Sequence, residues 1–221
     1  MRALKGEICN LVFNLRVGGK ALGTGFFMPV QGKGYLITAK HVLESHEDAR
    51  LELFLSGNWR ELNSRAIQHP DPYIDIVAFD ISYLVSCPDP SLKYTCHGVV
   101  LAGEVYFLGF PYGLQNLFGP VKGNPLPLAK KAIMCGTAAN AEGKPIGFYL
   151  DGHCNPGFSG GPCVTKGVDK SWQIFGVVST YITQKEILYD AKGQQRMILL
   201  ENSGIFVCHS IDLMIDYLKT A

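Results

Sequence analysis

Short apolar runs recur along this chain at 8–15, 22–30, 34–39, 51–55, 74–81, 98–101, 104–110, 146–150, 161–165, 173–181, 196–200 and 204–208. Most are too short for a typical helix, and clusters of Gly, Pro, Asn and Asp lie between them. Strand-length runs at this spacing predict an all-β barrel or sandwich. Two helical segments are expected beside them. Val42-Leu43-Glu44-Ser45 reads as a single turn. Ser210 reads as the N-cap of a C-terminal helix whose Ile211, Met214, Ile215 and Leu218 share one buried face. The least strand-like piece, 82–97 with Pro88 and Pro90, reads as a linker. The Gly- and Pro-rich piece 111–127 reads as a long surface loop.

One turn in this pattern carries chemistry. Gly157-Phe158-Ser159-Gly160-Gly161-Pro162 holds a serine between glycines, which tolerate the backbone angles that expose a hydroxyl. The amides of Gly157 and Ser159 would then converge where a tetrahedral oxyanion forms. A serine hydroxyl is a poor nucleophile at neutral pH and needs an adjacent base. The strand 35–39 runs into Lys40-His41, which supplies one. The strand that starts Ile74-Asp75-Ile76 supplies an acid to fix the imidazole tautomer. Asp71 and Asp80 flank that acid less favourably. His46, His69, His97 and His209 sit in polar or irregular surroundings and read as surface or satisfied side chains. Cys154 and Cys163 lie near the turn, but the residue inside it is serine.

With His41, Asp75 and Ser159 in that order, the chain resembles the trypsin-like serine peptidases, whose order differs from those of subtilisin-like and α/β-hydrolase enzymes. The likeness is greatest to the bacterial HtrA-type branch. Gly23-Thr24-Gly25-Phe26-Phe27, the run 103–113 ending Gly109-Phe110-Pro111-Tyr112-Gly113, the strand 175–181 and the strand 204–211 are all similar to segments of that branch. The resemblance implies two six-stranded antiparallel β-barrels with a C-terminal α-helix. Residues 1–97 would form the barrel carrying His41 and Asp75, and 98–221 the barrel carrying Ser159 and the helix, together one peptidase domain. It implies a serine endopeptidase working through an acyl-enzyme, with Gly157 and Ser159 as the oxyanion hole. It further implies that Ser179 supports the acid and that Thr180 and Tyr181 line the substrate as an added strand. His153, with Cys154 beside it, falls at the base of the pocket for the residue before the cut. Digestive relatives place an aspartate just before the nucleophile; here Phe158 occupies that place, so activation by a freed amino terminus is not expected. The peptide-binding module usual in HtrA-type proteins is not expected after the helix. A catalytically silent scaffold that binds a partner, and a serine esterase, are the alternatives.

Composition narrows the partners. Formal net charge is +1 and no long basic run exists, so a nucleic-acid partner has no electrostatic footprint. No apolar stretch approaches the ~18 residues of a membrane span. No metal-ligand spacing is present, so neither metal nor cofactor is expected. A protein or peptide substrate is the expected partner, and the oligomeric state is open. The seven cysteines are odd in number and form no Cys-x-x-Cys pair. They read as thiols in a reducing cytoplasm; Cys87 and Cys96 would pair only in an exported protein.

Overall fold

The computed structural model describes residues 6–44, 50–85, 92–121 and 124–220; the side chains of 21–22, 44 and 117–121 are not described. His46 and Cys87 lie outside these residues, and with Cys87 the Cys87–Cys96 pairing.

The first half begins with a helical turn, α1 (Gly6–Cys9), followed by β1 (Val12–Val17), β2 (Lys20–Val30) and β3 (Lys33–Thr38). After the short α2 (His41–Glu44) come β4 (Leu51–Leu55), β5 (Asn58–Glu61), β6 (Ile67–Gln68) and β7 (Val77–Asp80). These strands form one antiparallel sheet in the order β5-β4-β1-β2-β3-β7-β6. The second half contributes β8 (Lys93–Tyr94), β9 (Glu104–Gly109), β10 (Asn116–Val121), β11 (Asn124–Leu126), β12 (Leu128–Ala139), β13 (Pro145–Asp151), β14 (Pro162–Lys166), β15 (Trp172–Tyr189) and β16 (Gln195–Ser210), then α3 (Ile211–Thr220). Here β14-β9-β12-β13-β16-β15 closes on itself, because β15 returns to pair with β14, and β8 adds to β15 in parallel. Closure leaves that barrel without an unpaired edge along its body. The architecture is the expected two-barrel one. Among the described residues each sheet counts seven strands rather than six, since the two-residue strands β6 and β8 join their edges.

Strand alternation divides the apolar side chains among three cores. Phe13, Leu15 and Val17 of β1 fill the first sheet with Phe27 and Leu36. Phe26 and Met28, the opposite face of β2, turn outward to meet Leu108, Val164 and Ile174 of the second barrel and Ile211, Met214 and Leu218 of α3. Phe107, Phe158, Phe175 and Phe206 pack inside the second barrel. The middle core binds the two sheets and the terminal helix into one body.

Several expectations are corrected. The run 8–15 is a helical turn followed by a strand that starts only at Val12. The run 98–101 is a turn. The piece 111–127 is no bare loop: it holds a 3-10 turn at Pro111–Gly113 and the β10–β11 hairpin. Strand β12 was not anticipated, because its buried positions are mostly small (Ala132, Met134, Ala138) and alternate with Lys131, Ile133 and Cys135, which hides the period. The runs 173–181 and 196–208 belong to far longer strands, which extend past the barrel as a hairpin.

Candidate active site

Antiparallel β3 and β7 are neighbours, with Thr38 opposite Val77. The end of one strand therefore lies beside the start of the other. His41 opens α2 just past β3, and Asp75 stands just before β7, so both leave the sheet at the same place. The His41 amide donates to Asp75 Oδ1 at 3.1 Å, and His41 Nδ1 lies 2.7 Å from Asp75 Oδ2. Ser179 on β15 reaches across from the second barrel and donates its hydroxyl to the same Oδ2 at 2.5 Å. Burial pushes the Asp75 carboxyl up, but the bonds from the His41 ring, its charge, the Ser179 hydroxyl and the His41 amide outweigh that and hold it below its ordinary value. Asp71 and Asp80 instead cap their own turns at Tyr73 and Ser82.

Ser159 stands in the turn between β13 and β14, where Gly157 and Gly160 have φ of 100° and 81°. At Gly160 a Cβ would come within 2.1 Å of Thr38 Oγ1 and 2.2 Å of the Thr24 carbonyl, so only glycine fits where the turn presses on the first sheet. Thr24 ties that contact together. Its amide donates to the Ser159 carbonyl at 2.9 Å, and its hydroxyl donates to the Gly157 carbonyl at 2.7 Å and accepts from the Phe110 amide at 3.0 Å. The Pro156 carbonyl is held by the Tyr112 amide at 3.0 Å. With these carbonyls engaged elsewhere, the amides of Gly157 and Ser159 donate to no acceptor among the described residues. The Ser159 hydroxyl donates to the Ser179 carbonyl at 3.3 Å.

His41 and Val42 face Pro156, Gly157 and Ser159 across a cleft of about 430 Å³, and Ser179, Thr180, Tyr181 and Thr183 continue its wall. Six of the nine sequence-derived residues thus line one cleft, and Asp75 is hydrogen-bonded to two of them, His41 and Ser179. The other two lie elsewhere. His153 is exposed and outside the cleft lining, and Cys154 is buried in the barrel core. Burial pushes the Cys154 thiol up to about 12, with the neighbouring Cys163 adding to the shift, so it is no nucleophile at neutral pH. Among the described residues no cluster of His, Cys, Asp or Glu is arranged to hold a metal ion.

Three supports of the turn escaped sequence reading. Thr24 stood only as part of a Gly-Thr-Gly strand. Lys130 had no assigned part, yet its ammonium donates to the His153 carbonyl and, at 3.0 Å, to Asn155 Oδ1. Asn202 on β16 donates to the Cys154 carbonyl at 2.5 Å. Nothing local in the sequence marks side chains that serve a backbone far along the chain. Phe158 shows how the turn is ordered without a buried ion pair. Its ring is fully buried, edge-on to Phe107 at 4.8 Å. Phe158→Ala is expected to cost about 3–5 kcal/mol by removing that packing. Urea titration checks this, and a loss under ~1 kcal/mol would show that the turn is held by other means.

Behind the site, His209 is buried on β16 with Nδ1 3.3 Å from the Ile146 carbonyl. Burial lowers its pKa below the ordinary 6.5, with Lys40 and His41 in the same direction and Asp75 and the Ile146 bond in opposition. Burial and Lys40 lower His69 likewise. Below 6.5 the unfolded chain takes up protons that the folded protein refuses, so stability falls as pH drops through that value and below it. Asp75, depressed below 3.8, loses its contribution only at still lower pH. The melting temperature is therefore expected to be lower at pH 5 than at pH 7, with a smaller drop in His209→Gln. An unchanged drop in that variant contradicts the assignment.

Residues 23–177 match the family model of the trypsin-like peptidase domain. A comparison with curated protein sequences gives no significant match. Among solved structures, the chain is similar to the MamO protease domain from Magnetospirillum magneticum in its apo form, at 13% identity and a TM-score of 0.58, over 97% of this chain and 98% of that one. It is similar to the HtrA-type protease AlgW with a tripeptide, at 19% identity and a TM-score of 0.58 over 97% of this chain, and spans 61% of AlgW. It is also similar to the inactive form of a mutant of Rv3671c from M. tuberculosis H37Rv, at 15% identity and a TM-score of 0.56, covering 97% and 88%. At such identities these likenesses speak for the fold, whereas the family match covers well over half of the sequence. The chain belongs to the trypsin-like peptidase domain family.

Proposed function

We propose that this chain is a serine endopeptidase in which Ser159 is the nucleophile, His41 the general base and acid, and Asp75 the group that orients and stabilises His41. The observation that carries this reading is the pair of unengaged amides at Gly157 and Ser159, set beside a serine whose facing histidine is already bonded to Asp75. A peptide entering the cleft meets the Ser179 carbonyl first. Its amide competes for that acceptor and releases the Ser159 hydroxyl towards His41. Ser159 Oγ then attacks the scissile carbonyl carbon while its proton passes to His41 Nε2, and the oxyanion forms against the two amides. Collapse expels the amine with the proton from His41, leaving an acyl-enzyme. Water, deprotonated by the same imidazole, hydrolyses the ester and restores Ser159. Thr180 and Tyr181, at the cleft wall, extend the substrate's upstream residues as an added strand.

Specificity follows from what lines the cleft. None of the described residues that line the cleft is a carboxylate, Asp75 beside it is already held by His41 and Ser179, and Asp151 is exposed on β13. A buried Arg or Lys would be left unpaired at a cost of several kcal/mol. Small apolar residues before the cut are expected instead. A positional-scanning peptide library checks this, and dominant cleavage after Arg or Lys refutes it. We place the protein in the cytoplasm, where the six described cysteines, all free, would stay reduced. Among the described residues no helix is long and apolar enough to cross a membrane. The reading is tested by a fluorophosphonate probe on intact protein beginning at Met1. Labelling of the wild type that disappears in Ser159→Ala supports it, and undiminished labelling of the variant sinks it.

A further inference from the structure

We propose that the outer edge of β15, beyond the cleft, is a docking strand for the substrate segment upstream of the cut, about ten residues long; this rests on the peptidase reading above. Strand β15 has 18 residues and β16 has 16, far more than barrel closure uses. As far as Val178 both edges of β15 are occupied. Strands β14 and β16 flank it, and Val178 itself exchanges hydrogen bonds with Gly160 and Gly161. From Tyr181, opposite Phe206, to Tyr189, opposite Gln195, only β16 pairs with it. Among the described residues the other edge of 180–189 has no backbone partner. That edge begins at the nucleophile, since Ser179, Thr180, Tyr181 and Thr183 line the cleft.

Direction and length match a peptide. A substrate lying antiparallel to β15 with its scissile residue at Ser179 sends its upstream residues towards Tyr189. At about 3.3 Å per residue the edge from Thr180 runs roughly 30 Å, room for ten residues in register. The arm also lacks what a ribbon needs. A two-stranded hairpin is marginal alone and gains from a third strand. Its apolar side chains stand open to solvent on both faces. Ile187 pairs with Ile198 on one, exposed by 41% and 50%, and Leu188 with Met197 on the other, at 41% and 53%. An added strand would supply the missing main-chain bonds and cover these neighbours with its alternate side chains. The occupant so defined is an extended segment without proline, with apolar residues at alternate positions, continuous with the residue before the cut.

The test uses fluorescein-labelled peptides with Ala before the cut. One carries three upstream residues, one carries ten of alternating Val and Lys, and one carries ten with Pro at alternate positions. Binding to the full chain bearing Ser159→Ala is read by fluorescence anisotropy. The ten-residue peptide is expected to bind about tenfold or more tighter than the short one, and the proline peptide no better than the short one. A variant in which 184–201 is replaced by Asn-Gly, closing the hairpin at Thr183 and Asn202, should lose the length effect. With Ser159 intact it should still hydrolyse the short peptide. Should that variant fail to fold, the proline peptide still decides. Equal affinity of the full chain for the short and long peptides overturns the proposal, whether or not either is cut. Length-dependent binding without hydrolysis by wild type upholds the docking edge and removes the peptidase reading instead. A dimer in sedimentation that the shortened hairpin abolishes, with no effect of peptide length, assigns the edge to a second copy and overturns the proposal.

Discussion

Replacing Ser159 with Ala is expected to lower kcat by about 10⁴–10⁶-fold, replacing His41 with Ala by a similar factor, and combining the two to add little. The geometry explains the non-additivity. Ser159 sits in a turn locked to the first sheet through Thr24, and His41 is anchored by both its amide and its ring to Asp75. The proton transfer needs both side chains, so once one is gone the other has nothing to act on. What survives in every variant is the pair of amides at Gly157 and Ser159, since both are main chain. The residual rate of the single and double variants should therefore converge, at roughly 10³–10⁴ above the uncatalysed reaction. Steady-state kinetics on a peptide selected by the library measures this. A double variant slower than either single variant by a further ~10³ or more would show that the residues act separately and break the triad assignment.

The sequence made the chemistry more legible than the framework around it. His41 follows one apolar strand, Asp75 precedes another and Ser159 sits in a glycine turn, so period and punctuation mark them without knowledge of the fold. Their convergence depends on β3 and β7 being neighbours, which an alternating pattern alone does not state. Ser179 followed from its place in a strand similar to a known one. Strand β12 was hidden because its buried face, mostly alanine, alternates with the apolar but exposed Ile133 and Cys135, which leaves little hydrophobic contrast to read. The β15–β16 arm was cut short for the opposite reason. Its apolar residues are exposed on both faces, so the pattern past Tyr181 matches neither a core strand nor a polar loop. His153 was placed in the pocket by counting back from the nucleophile. Lys130 and Asn202 hold this stretch by the His153 and Cys154 carbonyls, and the His153 side chain is left in solvent. Counting residues assumes a loop of fixed path, and these long-range bonds set a different one.

Asp75→Asn is expected to lower kcat by about 10⁴ while leaving the fold intact, and Ser179→Ala by only tenfold to a hundredfold. The two oxygens of Asp75 face different donors. Oδ1 accepts the His41 amide, and Oδ2 accepts both His41 Nδ1 and the Ser179 hydroxyl. Asparagine brings one oxygen and one NH₂ to a place that needs two acceptors. With its NH₂ towards the ring, Nδ1 must become the acceptor, so the proton moves to Nε2 and the imidazole facing Ser159 is no longer a base. With its NH₂ towards the His41 amide, two donors oppose each other in a partly buried site and the anchor of α2 is lost. The first orientation takes away the base, the second keeps the tautomer but loosens the segment that carries the ring, and neither supplies the negative charge that stabilises His41 once protonated. Ser179→Ala removes one of three hydrogen bonds to the carboxylate and leaves charge and tautomer in place, which is why its effect is smaller. Its carbonyl, which a substrate amide would use in the proposed mechanism, is main chain and stays. Kinetics of the two variants on one peptide settles the order. Equal losses would mean that Asp75 acts through packing alone, and an Asp75→Asn enzyme within tenfold of wild type would remove it from the triad.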